Sequence, residues 1–178
     1  MELKRRGILL VLVLSMIFGV GMMTSSSNQV AFAKTRRTMK TFPKSIRGTW
    51  YSYQDHKMSR TKITAKKIVS DGYVYRLHSR KVTYVVKNNA KMKHPSWVTA
   101  GMITLSNKER WVNVMGWYQT AGDGSSYRKV THKLAGHKHS ILQVSVGAEF
   151  WTYSHGYHSK HLAKKYGNHY FKGERINK

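Results

Sequence analysis

Between Arg47 and Ser154 the chain runs in short stretches of Val, Ile, Thr, Tyr and Trp, broken by Gly, Asn, Asp or Ser at intervals of about ten residues. β-Branched and aromatic side chains fit a pleated, half-buried surface and the breakers fit tight turns, so the pattern predicts an antiparallel all-β domain. The expected strands are Arg47–Tyr53, Thr61–Val69, Tyr73–His78, Val82–Lys87, Trp97–Leu105, Arg110–Thr120, Tyr127–Lys133, Ser140–Val146 and Phe150–Ser154. In "SDGY" (Ser70–Tyr73) and "AGDGSS" (Ala121–Ser126) an Asp-Gly pair supplies the positive φ of a hairpin turn. "KNNAKMKHPS" reads as a longer polar loop, with Pro95 where a missing N–H does no harm, and "LAGHKHS" as another turn. Each strand then pairs with its neighbour in sequence, giving an up-and-down meander of about 8 to 9 strands.

The run "RWVNVMGWYQT" is apolar on both faces, Trp111, Met115 and Trp117 pointing one way and Val112, Val114 and Tyr118 the other. A strand with one wet face does not read like this. It either lines a closed interior on one side and is covered on the other, or lies centrally in a sandwich. The expected cover is the tail "GYHSKHLAKKYGNHYF", where His158, Leu162 and Tyr166 recur at helical spacing, Gly167 suits a helix end and Lys164 and Lys165 suit a helix C-terminus. The fold class is therefore all-β, mainly antiparallel, a meander closing as a small barrel with a short C-terminal helix; the alternative is a β-sandwich.

Ahead of the β pattern, Lys4, Arg5 and Arg6 precede an apolar or small run from Ile8 to Met23, and Ala31 and Ala33 follow a polar stretch. That is the layout of a secretory signal peptide, residues 1–33, cleaved after Ala33. The run falls short of the roughly 17 to 25 residues that span a bilayer, and "YFKGERINK" carries no stop-transfer segment, so no transmembrane segment is expected in the mature chain. Residues 34–44, "KTRRTMKTFPK", hold five basic residues and no acidic one and read as a flexible basic arm before a single β domain, 45–178. Cysteine is absent, which excludes disulfides, a thiol nucleophile, a thiolate metal site and a lipidated N-terminal Cys. A disulfide-free exported chain of this style points to a Gram-positive bacterium.

Charge adds the partners. The whole chain has 32 Lys and Arg against 7 Asp and Glu, a net +25; removing Lys4, Arg5, Arg6 and Glu2 with the signal leaves 29 against 6, or +23. Such a surface concentrates polyanions, which outside a cell are wall polymers, anionic lipid head groups, acidic polysaccharides and stray nucleic acid. The expected contributors are Lys34, Arg36, Arg37, Lys40 and Lys44 on the arm, and Lys164, Lys165 and Lys172 at the tail. Specific nucleic-acid recognition is not expected, and the protein should be a monomer.

The motif Gly48-Thr49-Trp50 in "SIRGTWYSY", opening a meander of this length, resembles the start of the lipocalins and wider calycins. The resemblance implies an up-and-down barrel whose interior takes a small apolar ligand, with Trp50 as a structural plug at one end and Gly48 as a close-packing position. Across most of the mature chain, "FPKSIRGTWYSY", "HPSWV", "WVNVMGWYQTAGDG" and "FWT" resemble a family of small secreted proteins of lactic-acid bacteria, which implies secretion but no particular activity.

Five Trp, eleven Tyr and five Phe make the domain rich in aromatics. Large rings fill small barrels, yet several at a mouth could also bind sugar rings or apolar ligands; the candidates are Trp50, Trp97, Trp111, Trp117, Tyr118 and Trp151. Tyr118, Tyr127 and Tyr153, near Gln119, Asp123 and Arg128, are the first place to look. His137 and His139 with His155, His158, His161 and His169 raise a zinc site, but no HExxH and no accompanying carboxylate support it, so no metal and no cofactor is expected. With no G-x-S-x-G elbow, phosphate loop or Cys, no enzyme is expected. The function expected is a secreted, non-enzymatic binding protein retained on the cell wall through anionic polymers, the alternative a calycin-like carrier of a small apolar ligand.

Overall fold

The computed structural model describes residues 31–32, 37–82, 93–119 and 124–176. Lys34, Arg36, most of the predicted signal peptide, the predicted strand beyond Val82 and Ala121–Asp123 lie outside them. The described strands are β1 (Ala31–Phe32), β2 (Gly48–Gln54), β3 (Lys57–Ile63), β4 (Lys67–Ser70), β5 (Tyr73–Leu77), β6 (Trp97–Thr104), β7 (Arg110–Gly116), β8 (Ser125–Leu134), β9 (His137–Val146) and β10 (Trp151–Tyr157). A 3₁₀ turn, Lys44–Ile46, precedes β2, and one helix, α1 (Lys160–Tyr166), follows β10.

Strands β2 to β10 close a nine-strand, mostly antiparallel barrel, with β1 added beside the far end of β6. Closure excludes the sandwich. A closed ring of antiparallel neighbours needs an even number of strands, so nine force one parallel pair. That pair is β5 and β6, registered Arg76↔Trp97 and Leu77↔Val98. Parallel neighbours cannot share a hairpin and need a crossover, which is the segment 78–96. The meander is therefore two hairpin series, β2–β5 and β6–β10, joined again where β10 meets β2.

Two turns divide the chain differently from the sequence pattern. The expected strand Thr61–Val69 is split, because the Thr64 hydroxyl accepts the N–H groups of Lys66 and Lys67 and folds the chain back between β3 and β4. Between β2 and β3, Asp55 and His56 carry the left-handed backbone of a two-residue hairpin, at φ 48° and 61°. Neither turn contains Gly or Pro, which is why their composition hides them.

Residues 37–44, expected as part of a flexible arm, are built into the barrel, which is a correction. Thr38 N–H donates to Arg80 O at 2.9 Å, Met39 N–H to Ala100 O at 2.8 Å and Phe42 N–H to Ala65 O at 3.0 Å. Phe42 is fully buried, and with Ile46 it stoppers one end of the barrel. The basic residues face water while the two apolar ones point in, so average charge concealed the anchoring residues.

Call the stoppered end lower. Inside it Phe42, Ile46, Trp50, Ile63, Ile68, Leu77, Val98, Val112 and Leu142 form the main core. The inward residues of β7 are thus Val112 and Val114; Trp111 is buried outside the wall against Ile103, Leu105 and Phe150. The tail does not cover β7, contrary to expectation. Instead α1 lies over β2 and β10, where Ala163 and Leu162 meet Tyr157, Tyr51 and Tyr53. Ser159 caps the helix by accepting the Leu162 N–H. Gly167 ends it where any Cβ would sit 2.2 Å from Tyr53 O.

Candidate functional site

The upper half of the barrel is lined differently from the lower. Strand alternation aims Trp50, Ser52 and Gln54 of β2, Ser59 and Thr61 of β3, Ser70 of β4, Ser125 and Tyr127 of β8, Val144 of β9 and Ser154 of β10 into a cavity of about 280 Å³. Trp50 is its floor and Asp71 and Tyr153 stand at its rim. A second cavity, of about 340 Å³, shares Ser70, Ser125 and Tyr127 with the first and extends toward Tyr75, Pro95, Val98 and Gln119. The two together form an upper chamber over an apolar base.

Much of the lining is fixed. Trp50 donates its indole N–H to Ile46 O at 2.9 Å and stacks on His158 at 3.9 Å between ring centres. His158 Nδ1 in turn lies 2.9 Å from Thr49 O. Gly156, opposite, leaves no room for a side chain: a Cβ there would be 3.0 Å from Trp50 Cβ. Thr61 Oγ1 and Ser70 Oγ pair at 3.0 Å, and the Asp71 carboxylate accepts the Arg60 N–H at 3.2 Å. Burial pushes the Tyr127 phenol above its usual pKa, against the opposing effect of its hydrogen bond with Ser125, so it stays protonated at neutral pH. Among the described residues neither cavity is lined by Lys or Arg.

The six aromatic candidates do not converge. Trp50 alone lies in the chamber. Trp97 and Trp117 sit outside, where His78 and His94 sandwich Trp97 at 3.6 and 3.8 Å and Trp117 meets it edge-on at 5.3 Å. Arg80 donates to Trp117 O at 2.6 Å with its guanidinium 5.2 Å from that ring, and Tyr118 follows, half-buried. Trp111 packs beneath Arg128, whose guanidinium is 4.5 Å above the ring and pairs with Glu109 at 2.8 Å. Trp151 is half-buried at the start of β10. Of the first tyrosines to inspect, Tyr127 and Tyr153 reach the chamber.

The chamber hydroxyls are what sequence reasoning missed. Their signal was parity, since Ser52, Ser59, Thr61, Ser70, Ser125 and Ser154 all share the inward register of their strands.

Of the cationic candidates, Arg37, Lys40 and Lys44 are exposed along the stopper segment and Lys164, Lys165 and Lys172 are exposed on α1 and the tail. Between described residues there is one Arg–carboxylate ion pair, Arg128–Glu109, and one His–carboxylate contact, His155–Glu174. The histidines disperse: His155 binds Glu174 and His158 binds Trp50 and Thr49. Among the described residues no three His, Asp or Glu side chains gather in a way that could hold a metal, and no helix is long and apolar enough to cross a membrane. Compared with protein-family models, curated proteins and solved structures, the chain has no match.

Proposed function

We propose that this is a secreted, non-enzymatic binding protein held at a Gram-positive wall by anionic polymers. The carrying observation is an exterior whose positive charge is scarcely neutralised from within: 32 Lys and Arg stand against 7 acidic residues, and a single Lys or Arg enters the ion pairs between described residues. Exposed Arg37, Lys40, Lys44, Lys164, Lys165 and Lys172 each add about 1 kcal/mol near a strongly anionic surface. Binding of this kind is driven by counterion release and weakens steeply with salt. The test mixes the chain from Lys34 onward with purified walls, intact or stripped of anionic polymer, across a salt series. Retention should fall on stripping and on adding salt; unchanged binding to stripped walls at high salt would overturn the proposal.

A second reading, a barrel that carries a small ligand, is favoured by the upper chamber, which the lower core does not fill. Its partition into an apolar base and a hydroxyl-lined top argues against the wholly apolar ligand that the calycin resemblance implies.

A further inference from the structure

The lower barrel is filled by its own side chains, whereas above Trp50 the inward positions change to Ser52, Thr61, Ser70, Ser125 and Tyr127. Hydroxyls facing inward are costly unless each finds a partner. Each can both donate and accept. Thr61 already pairs with Ser70 and Tyr127 with Ser125, so a guest meets the donor and acceptor positions that these pairs leave over. An apolar guest would leave those unused, and a site built for ligand hydroxyls strongly rejects analogues that lack them. Charge selects further. In a chain with a net +25, none of the described residues lining either cavity is Lys or Arg, and the only charged one is the Asp71 carboxylate at the rim, an acceptor. An anionic guest finds no counter-charge there. Val144 and Leu142 on β9 and the ring of Tyr127 supply one apolar wall opposite the hydroxyls of β3 and β4, suited to the C–H face of a pyranose.

We infer that the upper chamber binds a neutral saccharide, one ring in the cavity of about 280 Å³ and the next toward the adjoining cavity of about 340 Å³. This deepens the carrier reading above and rests on it. Each volume lies near the lower end for small-molecule pockets, roughly 300 Å³, which fits a ring or two rather than a long strand.

The purified, isotope-labelled protein is titrated with glucose, the disaccharide of N-acetylglucosamine, glucuronic acid and an uncharged apolar fluorophore, following backbone amide shifts. A neutral sugar should shift the amides of Ser52, Thr61, Ser70 and Ser125. Glucuronic acid should bind at least tenfold more weakly than glucose. Ser125→Ala and Tyr127→Phe should each weaken the sugar about fivefold to tenfold; Ser52→Ala gives an independent variant should either fail to fold. Preference for the disaccharide over glucose assigns the ligand to wall glycan, and the reverse to free sugar. Fluorophore binding without sugar binding overturns the saccharide and leaves the carrier reading standing. Silence from every ligand overturns both. Sugar shifts confined to His78, Trp97 and Trp117, or equal binding of glucuronic acid, overturn the chamber assignment.

Discussion

Trp50 is held on three sides, by the Ile46 carbonyl, the His158 ring and the bare backbone of Gly156. Trp50→Ala removes the floor of the chamber and the lid of the lower core together, and should cost about 3–5 kcal/mol in denaturant unfolding. Trp97→Ala, stripping a half-buried ring from the surface stack, should cost clearly less; equal losses would mean that the floor carries no special share of stability. Trp50 was readable early because Gly48-Thr49-Trp50 is compact and sits at a strand start. Its hydroxyl neighbours were not, since slipping a strand by one residue exchanges its two faces. Until the turns at Asp55 and Thr64 are placed, nothing in the sequence says that Ser52 and Thr61 look inward while Tyr51 and Lys62 look out.

Strands with strong alternation, β5, β6 and β8–β10, and the helix over Leu162 and Tyr166 could be read to within a few residues. The polar tail could not. "YFKGERINK" has almost no apolar signal, yet Glu174 is buried with one oxygen 2.8 Å from His155 Nε2 and the other accepting the Phe171 N–H at 3.0 Å. Thr152 N–H donates to Arg175 O at 2.7 Å, and His132 stacks on Phe171 at 3.8 Å. The tail is thereby strapped across the outer faces of β8, β9 and β10 by a carboxylate whose partners lie far back in sequence. Glu174→Ala should lower stability by on the order of 3 kcal/mol, by removing half of a buried pair. It should also speed hydrogen exchange at the Thr152 amide. Unchanged protection at Thr152 would show that the strap holds without its carboxylate.

Acidification acts on the molecule through histidines in different places. Burial, then the charges of His94, Lys66 and Arg76, holds His78 below the ordinary value of 6.5. Burial does the same for His132, against a partly opposing pull from Glu174. Both groups bind a proton more readily unfolded than folded. Their contribution to stability is therefore complete above pH 6.5 and is lost as pH falls below it. Urea midpoints measured from pH 7.5 down to pH 5 should decline, and His78→Gln should flatten part of the slope; a rising midpoint would reverse the assignment. Net charge was plain from composition, but its segregation to the outside of the barrel was not, because that depends on which parity of each strand closes the ring.

The nine-strand count leaves the ring with two thin joins: two registered pairs between β5 and β6, and one, Tyr157↔Tyr51, between β10 and β2. The second unites segments from opposite ends of the domain, so loop-closure entropy opposes it more than any hairpin. Helix α1 crosses this join outside, touching Tyr51, Tyr53 and Tyr157, and works as a clasp. Inside, Ser52 of β2 and Ser154 of β10 face the same cavity from its two sides. A guest seated there would span the join like a rivet, so on the carrier reading occupancy of the chamber would favour completion of the ring.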